Sequence, residues 1–170
     1  MDSLSELLED ELKDLYSAEN QILKALPKII GKVSSTELKT ALSKHLRETE
    51  GHVDRLEQAG QILGINLSGK KCEAMAGLVK EGGEALDEDG PDAVIDAALI
   101  GACRRVEHYE MAAYCSTRAI AEQLGQAEIA SLLEQTLKEE SAADGKLKGI
   151  AQDEVLVDAA DSETEEEVTH

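Results

Sequence analysis

The sequence predicts an all-α fold: a bundle of four long helices with a short extra helix in the crossover between the second and third. Three observations predict it. Aromatic residues are 2% of the chain, with Tyr16, Tyr109 and Tyr114 and neither Trp nor Phe, whereas strand-rich cores lean on aromatic and β-branched side chains. Pro27 and Pro91 are the only prolines, so little punctuates the chain. Leu, Ile, Val and Ala then recur at helical spacing through four long segments. The 170 residues fit one domain with a sizeable core.

The first helix is expected from Ser3, an N-cap with Glu6 three residues on, to about Gly31. Its apolar stripe is Leu4, Leu8, Leu12, Leu15, Ile22, Leu26 and Ile30, and Pro27 predicts a kink or break. The second runs from about Ser35 to Leu63, with Leu38, Leu42, Leu56, Ala59 and Leu63 inward and Gly64 as its stop. A weaker helical stretch covers Met75 to Leu86. The third long helix runs from Pro91, read as its first residue, to Leu124, with Ile95, Leu99, Ala102, Val106, Ala113 and Ile120 inward. The fourth runs from Gln126 to Ala151, with Ile129, Leu133, Leu147 and Ile150 inward. Short connections near Ser34 and Gly125 make two helical hairpins, joined by the longer segment. The domain is expected over residues 1–157. Residues 158–170, which hold six acids and no Lys or Arg, are expected to form a disordered tail.

The net charge of −19 argues against nucleic acid and against an anionic membrane surface, because both need clustered Lys and Arg. Cys72, Cys103 and Cys115 show no metal-type spacing and read as reduced thiols. Cys103 and Cys115 are expected to be small buried side chains. The acidic start MDSLSELLED lacks the features of a secretory signal, and no long apolar run spans a membrane. A cytoplasmic location is the expectation.

The stripes are interrupted by acids and imidazoles. Glu19 falls between Leu15 and Ile22 on the first helix. His45, Thr49 and His52 fall inward on the second, with Glu48 one turn before His52. Glu110 is inward on the third, with Glu107 one turn back, and Glu140 and Asp144 are inward on the fourth. Glu19 and Glu48 lie about equally far from residue 34, as Glu110 and Glu140 do from residue 125. At ~1.5 Å per residue all four fall ~21–23 Å from their own turn, so aligned hairpins bring them into one layer. Unpaired carboxylates cannot share an apolar core: they must share protons or bind cations. Glu, Asp and His without thiolate suit iron or manganese better than structural zinc. Carboxylates from every helix plus His is a di-iron bundle pattern. The expected site holds two metal ions, iron first and manganese or zinc as alternatives. Its ligands are drawn from Glu19, Glu48, His52, Glu107, Glu110, Glu140 and Asp144, with His45 as an alternative imidazole. Tyr114, one turn from Glu110, is placed to hydrogen-bond a ligand.

These residues also carry a resemblance. VEHYEMAAY, Val106 to Tyr114, resembles the third helix of rubrerythrin-type ferritin-like proteins. LYSAENQILKALPKI, KHLRETEGHVDRLEQ, KKCEAMAGLVKEG, DAALIGACRRVEHYEMAAY and LLEQTLKEESAADGKL, in this order, are similar to the YciE/YciF family of ferritin-like bacterial stress proteins. The resemblance covers residues 4–152. It implies a ferritin-like four-helix bundle with a short crossover helix, a metal site in the bundle and a homodimer. The chain departs from the rubrerythrin pattern: Thr49 stands three before His52, Ala143 three after Glu140, and no CxxC electron-transfer module is present. Fe(II) oxidation, or reaction with O2 or peroxide, is the leading expectation, without an assigned catalytic residue. The alternatives are a non-enzymatic dimeric stress scaffold with structural or no metal, and a mineral-storing cage.

Overall fold

A computed structural model describes residues 1–168, and every regular element in it is helical. α1 (Leu4–Lys32) begins at Ser3, whose hydroxyl accepts from the Glu6 N–H at 3.1 Å. It passes through Pro27 without a break. Pro27 lies on the exposed side, where water can serve the carbonyl left without a donor.

α2 (Thr36–Leu63) starts at Ser35, whose hydroxyl accepts from the Leu38 N–H at 3.1 Å. Gly64 ends it in the left-handed conformation, φ 68°, which a residue with a Cβ rarely adopts. α3 (Glu73–Asp87) is capped by the Cys72 thiol and packs on α1 and α4. α4 (Asp92–Gln123) starts one residue after Pro91, which is extended at ψ 136° and so precedes the helix instead of opening it. Gly125, φ 70°, makes the turn into α5 (Ala127–Ile150).

The helical path continues past α5. A π-helical turn, Ala151–Val155, leads into α6 (Leu156–Val168), which packs on α4. Burial of Val155 fixes the turn, and Glu and Ala carry the helix onward without needing a core of their own. Thr169 and His170 lie outside the described residues.

The long helices form a four-cornered bundle. α1 packs on α2 and α4, and α5 packs on α4 and α2. The apolar interior divides in two. One cluster, with Leu26, Leu38, Leu42, Leu99, Leu147 and Ile150, fills the end near the α1–α2 turn. The other, with Leu8, Leu12, Leu56, Tyr114, Ile129 and Leu133, fills the opposite end. Between them lies a buried polar layer of Glu19, His45, Thr49, His52, Glu107, Glu110, Thr136 and Glu140.

Candidate metal centre

Each helix of the bundle sends donors into that layer. Helical spacing aims them: Glu19 sits in the α1 stripe, His45 and His52 are two turns apart on α2, Glu107 and Glu110 are one turn apart on α4, and Glu140 is on α5. Glu19, His52, Glu110 and Glu140 are each 0% exposed.

The donors form two groups that share Glu140. His45, Glu107, Glu110 and Glu140 each bring one ligand atom within 4.8 Å of the others, and so do Glu19, His52 and Glu140. His45 Nε2 lies 3.2 Å from Glu107 Oε1 and 3.7 Å from Glu140 Oε2. His52 Nδ1 lies 2.9 Å from Glu140 Oε1 and 3.3 Å from Glu19 Oε1. Tyr114 donates its phenol proton to Glu19 Oε1.

The outer edge of His52 is also held. Its Nε2 lies 3.0 Å from Glu139 Oε2, and Arg55 grips both Glu139 oxygens at 2.7 and 2.9 Å. Arg55 also donates to Thr136 at 3.1 Å. A carboxylate behind a histidine fixes the ring and its tautomer, so that Nδ1 is presented to the layer as a lone pair when a metal binds.

Electrostatics agree with a cation-shaped deficit. Burial, then the charges of neighbouring carboxylates, push Glu110 well above the ordinary carboxylate range, and burial with Glu140 does the same to Glu107 against the opposing influence of His45. Burial also raises Glu140, against the favourable influence of His52. Burial works against the charged form of His52, but the Glu140 and Glu19 carboxylates prevail and lift it to about 10. Nine buried side-chain atoms in this layer make no well-directed hydrogen bond: Glu19 Oε2, both His45 nitrogens, His52 Nδ1, Glu107 Oε2 and both oxygens of Glu110 and of Glu140; His45 Nε2 and His52 Nδ1 have only the close carboxylate approaches given above. Native interiors rarely leave such atoms orphaned. Carboxylate and imidazole donors aimed at common points are what a divalent cation requires.

Not every expected ligand joins the groups. Glu48 pairs with Lys44, and its Oε2 lies 3.9 Å from His45 Nδ1. Its carboxyl is held down at about 2, first by His45 and then, against burial, by Lys44. Asp144 is taken by Arg104 at 2.7 Å and lies 3.3 Å from His108 Nε2. His45, the alternative imidazole, stands in the first group, and Glu48 is in neither. Cys103 is buried, Cys115 is exposed against expectation, and neither joins the donors. Sequence reading missed Glu139 and Arg55. The available signal was that Arg55 follows His52 by three residues and Glu139 adjoins Glu140, but their pairing depends on the α2–α5 register.

The chain matches the family described as Domain of unknown function (DUF892) over residues 3–160. It is 42% identical over 141 residues to protein YciF of Escherichia coli strain K12, covering 82% of this chain and 85% of that protein. The crystal structure of the E. coli stress protein YciF superposes with a TM-score of 0.86 at 39% identity, covering 89% of this chain and 96% of that one. YcfI from Rhodopseudomonas palustris gives a TM-score of 0.83 at 42% identity, covering 86% and 93%. Fold, length and sequence agree, and the chain belongs to the DUF892 family together with the stress protein YciF.

Proposed function

We propose that this protein is a ferritin-like stress protein that binds two metal ions, iron in the first instance, in the buried layer of its bundle. The crowded donors carry the reading: the buried atoms that make no well-directed hydrogen bond are those that would face a cation. His45, Glu107, Glu110 and Glu140 would hold one ion, and Glu19, His52 and Glu140 the other. Glu140 is the residue common to both groups and is suited to span them. If these residues held two ferrous ions, the pair would supply two electrons to O2 or to a peroxide. The chain's part is to hold the donors at fixed positions, to keep His52 oriented through Glu139 and Arg55, and to offer the Tyr114 proton at Glu19. Apolar clusters flank the layer above and below.

Membership beside a stress protein supports a role in bacterial stress. The resemblance supports a homodimer, and three free cysteines support a cytoplasmic setting. Among the described residues no helix is long and apolar enough to cross a membrane.

Metal analysis of the purified protein, with melting curves before and after chelation, tests the binding. Bound metal that raises the melting temperature, and is lost from Glu140→Ala, is the expected result. Metal-free protein that melts the same with and without Fe(II) or Mn(II) would refute it. Metal that stabilises but leaves O2 untouched would establish the scaffold reading, with the ion structural.

A further inference from the structure

A cavity of about 190 Å³ opens between α1, α3 and α4 and ends at the metal-site donors His45 and Glu107. Its walls are aliphatic, from Ile22, Leu26, Leu78, Val79, Leu86 and Val106. Leu78, Val79 and Leu86 on α3 are only half-buried, so this apolar surface is incompletely covered. Its mouth carries Lys24 and Lys28, one turn apart on α1 and both exposed. Among the described residues neither lysine has an acidic partner, in a chain where acids outnumber bases 36 to 17.

The α3 wall contains Gly82 and Gly83 in mid-helix. Each glycine costs a helix roughly 0.5–1 kcal/mol relative to alanine. Gly82 has a packing reason: an added Cβ would stand 3.1 Å from Ala102 Cβ. Gly83 has none: a Cβ there meets nothing within 4 Å, and its backbone is ordinary helix. A side chain at Gly83 would project into the open space that the cavity occupies. The chain forgoes helix stability there, and the result is an open pocket.

We propose that this cavity binds an aliphatic chain carrying an anionic head group, with the head at Lys24 and Lys28 and the chain end directed at His45 and Glu107. Apolar walls favour each buried methylene, and the paired lysines complement a carboxylate in an otherwise acidic surface. The inference goes beyond metal binding and stands without it: the lysines at the mouth and the aliphatic walls make the binding contacts, and only the inner end meets the donors His45 and Glu107.

Octanoate and octanol, titrated into metal-free and metal-loaded protein and followed by amide chemical shifts, test it. Octanoate is expected to shift residues of α1, α3 and α4 around the cavity and to bind more tightly than octanol. Gly83→Leu should fill the pocket and weaken octanoate by about tenfold or more. Gly83→Ala should keep binding and raise the melting temperature. The Lys24→Ala/Lys28→Ala double variant should weaken octanoate by roughly threefold and leave octanol unchanged. If Gly83→Leu melts early, Ala25→Leu plugs the same cavity from α1 and replaces it. Absence of octanoate shifts at the cavity, equal binding of the two probes, or octanoate binding indifferent to both plugging variants would overturn the proposal. Binding by the metal-free protein separates this outcome from that of the metal proposal.

Discussion

Glu110 is wholly enclosed, both its oxygens lack a hydrogen bond, and Glu140, Glu19 and Glu107 surround it. Without a cation its charged form is disfavoured by burial and by like charge. Replacing it with the isosteric Gln removes the charge but keeps the shape. Glu110→Gln is therefore expected to stabilise the chelated protein by about 1–2 kcal/mol in urea unfolding while weakening metal uptake. Loss of stability on this substitution would mean that Glu110 is paired in a way the structure does not show. The pH dependence has a definite sign. Glu107, Glu110 and His52 all hold protons more tightly when folded than when unfolded. Their favourable contribution is complete below the unfolded values and is lost as pH rises through the raised ones. The chelated protein should accordingly melt lower at about pH 8 than at about pH 5. The metal-loaded protein should show the opposite trend, because ligation requires these groups deprotonated. Melting curves at the two pH values, with and without metal, check both signs.

At the scale of the helix, the residues that aim donors inward also decided what could be foreseen. Glu19, Glu110 and Glu140 interrupt apolar stripes at spacings of three and four, so their faces follow from the sequence. Glu48 lies one position off such a stripe. His45, Thr49 and His52 occupy the inward stripe of α2, while Glu48 stands at its edge and turns to Lys44 four residues back. Asp144 shares the α5 stripe, but Arg104 on α4 captures it, and that encounter depends on a register between helices that spacing cannot give. The same limit hid the hold of Arg55 on Glu139. At the acidic end, low hydrophobicity excludes a core but does not exclude a helix continued from α5. Asp96 is a further case. Buried on α4, it accepts from the Ser34 N–H at 3.0 Å and the Ser35 N–H at 2.7 Å, fastening the α1–α2 turn to the start of α2. Asp96→Ala leaves those donors unpaired and should cost about 2–3 kcal/mol in urea unfolding without changing metal stoichiometry. Arg55→Ala should leave the fold near wild type yet weaken the ion held by His52 by about 10- to 100-fold, read by competition with a coloured chelator.

The whole molecule sets a surplus of acid against a core split by a layer that needs positive charge. Most of the −19 is on the surface, where self-repulsion opposes compactness. Raising NaCl from about 0.05 M to about 0.5 M should therefore raise the melting temperature of the chelated protein. A midpoint that falls with salt would show that the surface ion pairs outweigh the repulsion. Under the proposed function, the inward part of the charge would answer to a cation instead of to salt. The two apolar clusters join the helices above and below the layer, so a bound metal pair would complete the interior instead of decorating it. Anaerobic Fe(II) titration followed by admission of O2 addresses this claim most directly. The account predicts saturation at two Fe(II) per chain, a new near-ultraviolet absorption on oxidation, and loss of both in Glu140→Ala. No saturable uptake, or uptake that survives Glu140→Ala unchanged, would contradict it.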